Sequence, residues 1–187
     1  MDTVPSAFVF MKVGNHAGET FESILRRKNE EYQKTGRIFW GYGGSACHPI
    51  KQVQPFVEVY EKQNGSIYVL MQEIDSRAQP ALLPAKEYSR DGVNWEDIPE
   101  GANVLGSRYA LVLDEIKSTD FEINPHEYVI GAGPSKGKVA GEYMQGHIDK
   151  ACLVRPELAP SSDGRNRNRK IKYAAKLLFP HAVLVRS

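Results

Sequence analysis

Residues 37–49 read RIFWGYGGSACHP and place a predicted strand, a glycine-rich turn and a helix start in one short segment. The residues RIFW are types that suit a half-buried strand. The strand is expected to end at GYGG, because glycine adopts positive φ and has no Cβ to keep a bound group from the main chain. Pro49 favours the first turn of a helix. We therefore expect the residues between strand and helix to direct backbone amides outward, where they can hold an anion.

Hydrophobic periodicity on both sides of this segment predicts an α+β fold. Residues 19–34 and 50–60 have apolar positions at helical spacing, although Pro55 predicts a kink or two short helices in the second segment. The remaining pattern is strand-like, with strands predicted at residues 7–13, 66–74, 85–89, 93–95, 104–116, 128–130, 148–154, 171–179 and 182–185. Two N-terminal helical segments followed by strands favour a mostly antiparallel, curled sheet, which can close into a small barrel.

Length and composition predict one domain spanning residues 1–187 in the cytoplasm. The 24 basic and 23 acidic residues nearly balance, so any basic surface has to be local. The N-terminus lacks the pattern of a signal peptide, and no stretch approaches the length of a membrane span. The two cysteines, Cys47 and Cys152, share no metal-type spacing, and we expect no metal or cofactor. Residues 156–169 have the composition of a mobile loop.

The glycine-rich turn is first interpreted as a ligand-binding site. Trp40 and Tyr42 can stack on a base or sugar, while glycine amides can hold a phosphate. A basic segment near the C-terminus would supply further positive charge to the same ligand if it folds toward the turn. The hypothesis is therefore a binding protein for a nucleotide or nucleic acid, and its remaining predicted contacts are Gly43, Gly44, Ser45, Arg165, Arg167 and Arg169.

An alternative interpretation treats the same turn as a thiol active site. Cys47 lies just before the predicted helix start, where the helix dipole lowers a thiol pKa and favours the nucleophilic thiolate. Gly43 and Gly44 would line the oxyanion site, and His16 or His48 would act as the base. This pattern predicts a hydrolase or a transferase.

A further alternative comes from Glu115 and Lys117, which are two residues apart at the end of a hydrophobic strand and share one face. This pair resembles the second half of the PD-(D/E)xK motif of metal-dependent nucleases. The resemblance implies an upstream aspartate, for which Asp91 and Asp97 are the candidates, and it implies a bound divalent metal.

Overall fold

The computed structural model describes residues 4–43, 48–76, 82–144, 148–158 and 168–187. Its helices are α1 (Phe21–Thr35), α2 (Ile50–Asn64) and the short α3 (Ala140–Tyr143), with a 3-10 helix at Pro125–Glu127. The strands are β1 (Ala7–Val13), β2 (Ile38–Gly41), β3 (Tyr68–Glu73), β4 (Glu87–Ser89), β5 (Glu96–Asp97), β6 (Tyr109–Leu113), β7 (Lys117–Ile123), β8 (Val129–Ile130), β9 (Lys150–Val154) and β10 (Arg169–Arg186).

Hydrogen bonds join the ten strands in one sheet, with the order β2-β6-β10-β3-β1-β9-β8. Strands β4 and β7 also pair with β10, and β5 pairs with β4. The pairs β1–β9, β8–β9, β2–β6, β6–β10, β4–β10 and β4–β5 are antiparallel. Over the described residues the sheet is not closed into a barrel. The prediction of an α+β fold is confirmed, and the small barrel is not formed.

Two compact units are defined by the packing of the chain. The first unit contains Met1–Lys12, Ala46–Glu73 and Ser118–Ala174, and the second contains Val13–Ser45, Ile74–Lys117 and Ala175–Ser187. Strand β10 contributes residues to both units. The prediction of one domain over residues 1–187 stays a prediction.

Each unit has a hydrophobic core of its own. In the first unit, Phe8 and Phe10 of β1 pack with Tyr128, Ile130 and other apolar side chains. The rings of Phe8 and Tyr128 meet edge to face, with centroids 5.1 Å apart. In the second unit, one core cluster contains Phe39, Tyr88, Val104, Ala110, Val112, Val183 and Val185. Burial of these strand residues on one or both faces explains why the β-rich part of the sequence reads as short apolar runs.

Helix α1 forms where the periodicity predicts it. The Thr20 hydroxyl accepts a hydrogen bond from the Ser23 amide at 3.2 Å and caps the first turn. Gly36, with φ +70°, ends the helix. The apolar spacing of α1 places Glu31 among the charged residues of its polar face, but Glu31 is fully buried against Lys28.

Other elements also differ from their predictions. The strand predicted at residues 93–95 is not formed, and the one predicted at 104–116 is confined to β6. Helix α2 is a single helix that continues through Pro55. Lys51 and Pro55 are both exposed, so water can satisfy the carbonyl that Pro55 leaves without a donor. The two strands predicted on either side of Pro180 are one strand, β10, with an irregularity between Leu177 and Ala182. Strand β7 was not predicted, because its exposed polar residues hide the pairing with β10.

Within the described segments, no helix combines the length and the apolar character needed to cross a bilayer.

Candidate functional site

Strand β2, at the start of the glycine-rich segment, is held in the second unit by its pairing with β6. In this pairing, Trp40 lies opposite Leu111. Beyond the strand, the amides of Tyr42 and Gly43 both donate to the Tyr109 carbonyl, at 3.0 and 3.3 Å. A Cβ on Gly43 would lie 2.8 Å from Tyr109 Cδ1, so only glycine allows the main chain to pass this close.

The two aromatic residues of this segment face the protein interior. Trp40 is 7% exposed and Tyr42 is completely buried, with its ring 5.7 Å from the ring of Tyr109. Neither ring therefore offers a face for stacking in this conformation. Their predicted role as ligand contacts stays a prediction, and it would require the segment to open.

The other predicted residues of the turn and its surroundings divide into two groups. Gly44, Ser45 and Cys47, together with Arg165 and Arg167, lie outside the described residues. The two candidate bases are described, and they belong to different units. His16 is exposed in a tight turn of the second unit, where its backbone pairs with Glu19, and His48 belongs to the first unit.

His48 lies immediately before the first turn of α2 and contacts a side chain of that turn. Its ring is 6% exposed, and Nδ1 lies 3.3 Å from Oε1 of Gln52. Burial lowers the pKa of His48, and the Gln52 contact opposes this shift only in part. The imidazole is therefore neutral at pH 7, with Gln52 fixing the orientation of the ring.

The first turn of α2 has few groups of its own to satisfy its amides. Pro49 is the N-cap residue and provides no side-chain hydrogen bond, and the turn contains no acidic residue. The Pro49 carbonyl accepts from the Gln52 and Val53 amides at 2.9 and 3.2 Å, which leaves the two preceding amides without an acceptor inside the helix. Amides in this position carry partial positive charge and favour an anion.

A loop from the same unit packs against this turn. Residues 131–138 form it, and Gly133, at φ +72°, comes so close that a Cβ there would lie 2.5 Å from Gln52 Oε1 and 3.2 Å from His48 Nδ1. The Gly137 amide donates to the Ile130 carbonyl at 2.8 Å and closes the loop. Exposed lysines follow on the same loop at Lys136 and Lys138.

The described part of the basic segment is engaged in local contacts of the first unit. Arg169 donates to Gln72 Oε1 at 3.1 Å and lies over the Phe10 ring, while burial lowers its pKa. Lys170 pairs with Asp120 at 2.8 Å, and Lys172 pairs with Glu73 at 2.7 Å. Arg169 as a ligand contact stays a prediction. The two ion pairs hold Lys170 and Lys172 of β10 against acidic partners in the same unit.

The nuclease-like pair does not assemble into a metal centre in the described residues. Glu115 and Lys117 form an exposed ion pair of 3.5 Å. Asp91 is committed to its own turn, where hydrogen bonds from the Asn94 and Val93 amides and from two side chains hold its pKa well below its usual range. Asp97 is exposed on β5. No group of three His, Cys, Asp or Glu side chains in the described ranges is close enough to hold a metal ion.

The chain matches no protein-family model, no curated protein and no solved structure. The functional interpretation therefore depends on the residues themselves. Sequence reasoning found the α2 start but missed Gln52 and Gly133. The i, i+4 spacing of His48 and Gln52 at a helix start was a usable signal. The approach of Gly133, about 80 residues later in the sequence, had none.

Proposed function

We propose that this protein binds a phosphate-bearing or nucleobase ligand, a nucleotide or a nucleic acid, at the start of α2. The observation that carries the proposal is the start of α2: an uncapped first turn without acids, next to a loop that carries two lysines. A phosphate placed there would accept from the first amides of the helix. The exposed Lys51 in the same turn would contribute its charge.

Substitutions of Lys51 test the proposal. We expect wild-type protein to bind AMP and inorganic phosphate in isothermal titration calorimetry. Lys51→Gln should weaken binding by up to about fivefold, because a first-turn charge is worth up to about 1 kcal/mol, and Lys51→Glu should weaken it further because it reverses the charge. A carboxylate in the first turn interacts favourably with the helix dipole, so Lys51→Glu should not lower the thermal stability of the protein. Weaker binding is then separated from unfolding.

Lys62, in the last turn of α2, provides the matched control. Lys62→Gln removes the same charge at the opposite end of the helix and should leave AMP affinity unchanged. Equal affinities for wild type, Lys51→Gln and Lys51→Glu would contradict the proposal. So would the failure of wild-type protein to bind either AMP or phosphate.

A second candidate is a thiol-dependent enzyme with Cys47 as the nucleophile, and the contact between His48 and Gln52 favours it. When Nδ1–H donates to Gln52 Oε1, the lone pair of the neutral ring is on Nε2, as a general base requires. A side chain that orients the base in this way is a recurring part of nucleophilic sites. The residue before the base would then be activated as a thiolate.

The pH dependence of alkylation by iodoacetamide tests this candidate. Cys152 is fully buried, so peptide mass spectrometry of the native protein can follow Cys47 without a second substitution. We expect half-maximal reactivity near or below neutral pH, and we expect His48→Gln to move it towards the ordinary thiol value of about 8.5. An ordinary value in the wild type would contradict the enzyme and leave the binding proposal unaffected.

A further inference from the structure

Strand β10 is interrupted in the second unit by a large bulge. Leu177 pairs with Leu113 of β6, but the next paired residue is Ala182, opposite Leu111. Residues 178–181 therefore have only one residue of β6 opposite them. The bulge contains a cis bond between Phe179 and Pro180, and His181 has φ +68°. Positive φ is uncommon for any residue other than glycine, and bulges of this kind redirect side chains.

The bulge exposes one aromatic ring. Phe179 is 72% exposed, while Pro180 and His181 on its C-terminal side are buried. Every other Phe, Tyr and Trp of the chain lies in the described ranges and is buried or half-buried. Full burial of a phenylalanine is worth about 1.5–3 kcal/mol, so this fold forgoes a substantial stabilisation at one position.

Two neighbours hold the ring in place. The His181 ring meets Phe179 edge to face, with centroids 6.1 Å apart and an interplanar angle of 83°. Arg90, which follows β4, places its guanidinium carbon 6.0 Å from the centroid of the Phe179 ring. Arg90 also lies near the Tyr88 hydroxyl, which donates a hydrogen bond to Glu96 Oε2 at 2.7 Å. Phe179 therefore presents an apolar face with a positioned positive charge beside it.

Asp91, the acid next to Arg90 in the sequence, does not pair with it. Asp91 accepts hydrogen bonds from Ser89, Val93 and Asn94 and is turned into its own loop. Among the ion pairs of the described residues, none includes Arg90. The guanidinium is thus available to an anionic group that arrives together with a planar ring.

We propose that Phe179 and Arg90 form a binding site for single-stranded nucleic acid, in which one unpaired base stacks on Phe179 and an adjacent phosphate pairs with Arg90. Stacking on an aromatic ring with an arginine nearby is the contact that such ligands use without sequence preference. The positive charge favours this ligand over an apolar protein segment, which would contact Phe179 but gain nothing from Arg90. The inference shares its ligand class with the proposed function, but its site is separate.

Fluorescence anisotropy with labelled U12 and dT12 tests the site. Phe179→Ala should weaken binding by about 5-fold to 150-fold, which corresponds to the 1 to 3 kcal/mol of one stacked base. Phe179→Trp should preserve binding, because it preserves the stacking face. Arg90→Gln should reduce the slope of log K against log salt concentration by about 0.7, the value for one phosphate of a single strand.

The controls separate base stacking from other effects. Leu158, 88% exposed, is the matched apolar residue in the other unit, and Leu158→Ala should bind U12 like wild type. A labelled 12-mer with an abasic backbone should bind weakly and be insensitive to Phe179→Ala.

Several results would overturn the inference. These are no binding of U12 or dT12 by wild type, equal affinities for wild type and Phe179→Ala with unchanged circular dichroism, or a change of oligomeric state in Phe179→Ala without oligonucleotide binding. The last would identify a protein interface instead. Lys51→Gln distinguishes this site from the α2 start: it should retain the Phe179-dependent part of U12 binding even where AMP and phosphate binding at α2 is lost.

Discussion

The buried ion pair of helix α1 leads to a quantitative prediction about the second unit. Lys28 Nζ lies 2.7 Å from Glu31 Oε2 and also donates to the carbonyls of Phe39 and Asn103, at 2.5 and 2.6 Å. Glu31 in turn accepts from the backbone amides of Phe39 and Asn103, at 2.7 and 3.2 Å. The pair therefore ties α1 to β2 and to the loop at Asn103. We predict that Glu31→Gln strongly destabilises this unit.

The magnitude follows from the burial of both groups. The side chains of Lys28 and Glu31 are 4% and 0% exposed. Removing one charge of a buried pair leaves the other uncompensated and costs about 3–5 kcal/mol. In Glu31→Gln, Lys28 can lose its proton instead of remaining a buried, unpaired charge. The cost therefore cannot exceed about 5 kcal/mol, which is the free energy needed to deprotonate an ordinary lysine at pH 7. We therefore expect the free energy of unfolding to fall by about 3–5 kcal/mol.

Denaturation in guanidinium chloride, followed by circular dichroism, measures the change. The matched control is Glu30→Gln, because Glu30 is the preceding residue of the same helix and is exposed. It should change the free energy of unfolding by about 0.5 kcal/mol or less. Lys28→Met should also cost about 3 kcal/mol, since it leaves the Glu31 carboxylate buried without its cation.

The double variant Lys28→Met/Glu31→Gln completes a thermodynamic cycle. It contains no charge at either buried position, and the side-chain amide oxygen introduced by Glu31→Gln can still accept from a backbone amide. Its loss should be smaller than the sum of the two single losses by about 2 kcal/mol or more. A loss below about 1 kcal/mol for Glu31→Gln at unchanged m value, or additive single losses, would refute the reasoning.

Three further predictions use the same denaturation assay. Burial lowers the pKa of Lys28 from 10.5 to about 8. Between these pH values the unfolded chain binds more protons than the folded chain, so the stability of the wild type relative to the double variant should rise from pH 8 to pH 10.5. A difference in the free energy of unfolding that does not change with pH would contradict this. Thr20→Ala should cost about 1 kcal/mol by removing the cap on the Ser23 amide, whereas Thr20→Ser should cost little. Gly133→Ala should destabilise more than Gly137→Ala, because both have positive φ but only Gly133 has side chains within 4 Å; equal losses would contradict the close packing.

Local sequence signals predicted helix α1 well because its determinants are local. The cap at Thr20, the stop at Gly36 and the apolar spacing between them need no distant partner. The same periodicity assigned Glu31 to the surface, because a charged residue is rarely buried without a partner. The partners that bury it include Asn103, which is 72 residues away in the sequence.

The strands also divide into features that the sequence predicted and features that depend on distant contacts. The alternation after residue 170 predicted β10, with Ile171, Ala175 and Leu177 on a buried face. It did not predict that the chain would continue through Pro180 as one strand. That continuity depends on β6, which pairs on both sides of the bulge. The exposure of Phe179 follows from this pairing, and the phenylalanine itself suggested burial.

The sequence predicted only the part of the candidate site that residues 37–49 form. Residues 37–49 indicated a strand, a tight glycine passage and a helix start, and β2 and α2 are formed there. The burial of Trp40 and Tyr42 depends on packing against β6 and Tyr109, which spacing along the chain does not encode. The loop at Gly133 reaches His48 only in the folded first unit.

The sequence by itself determined the α+β class, helix α1, the start of α2 and most strand positions, because hydrophobic period, caps and turn residues act over a few neighbouring positions. The tertiary structure decided which polar groups are buried together, which aromatic rings are enclosed, and which one is exposed. These outcomes depend on contacts between residues far apart in the chain, where burial and hydrogen bonding outweigh local preference.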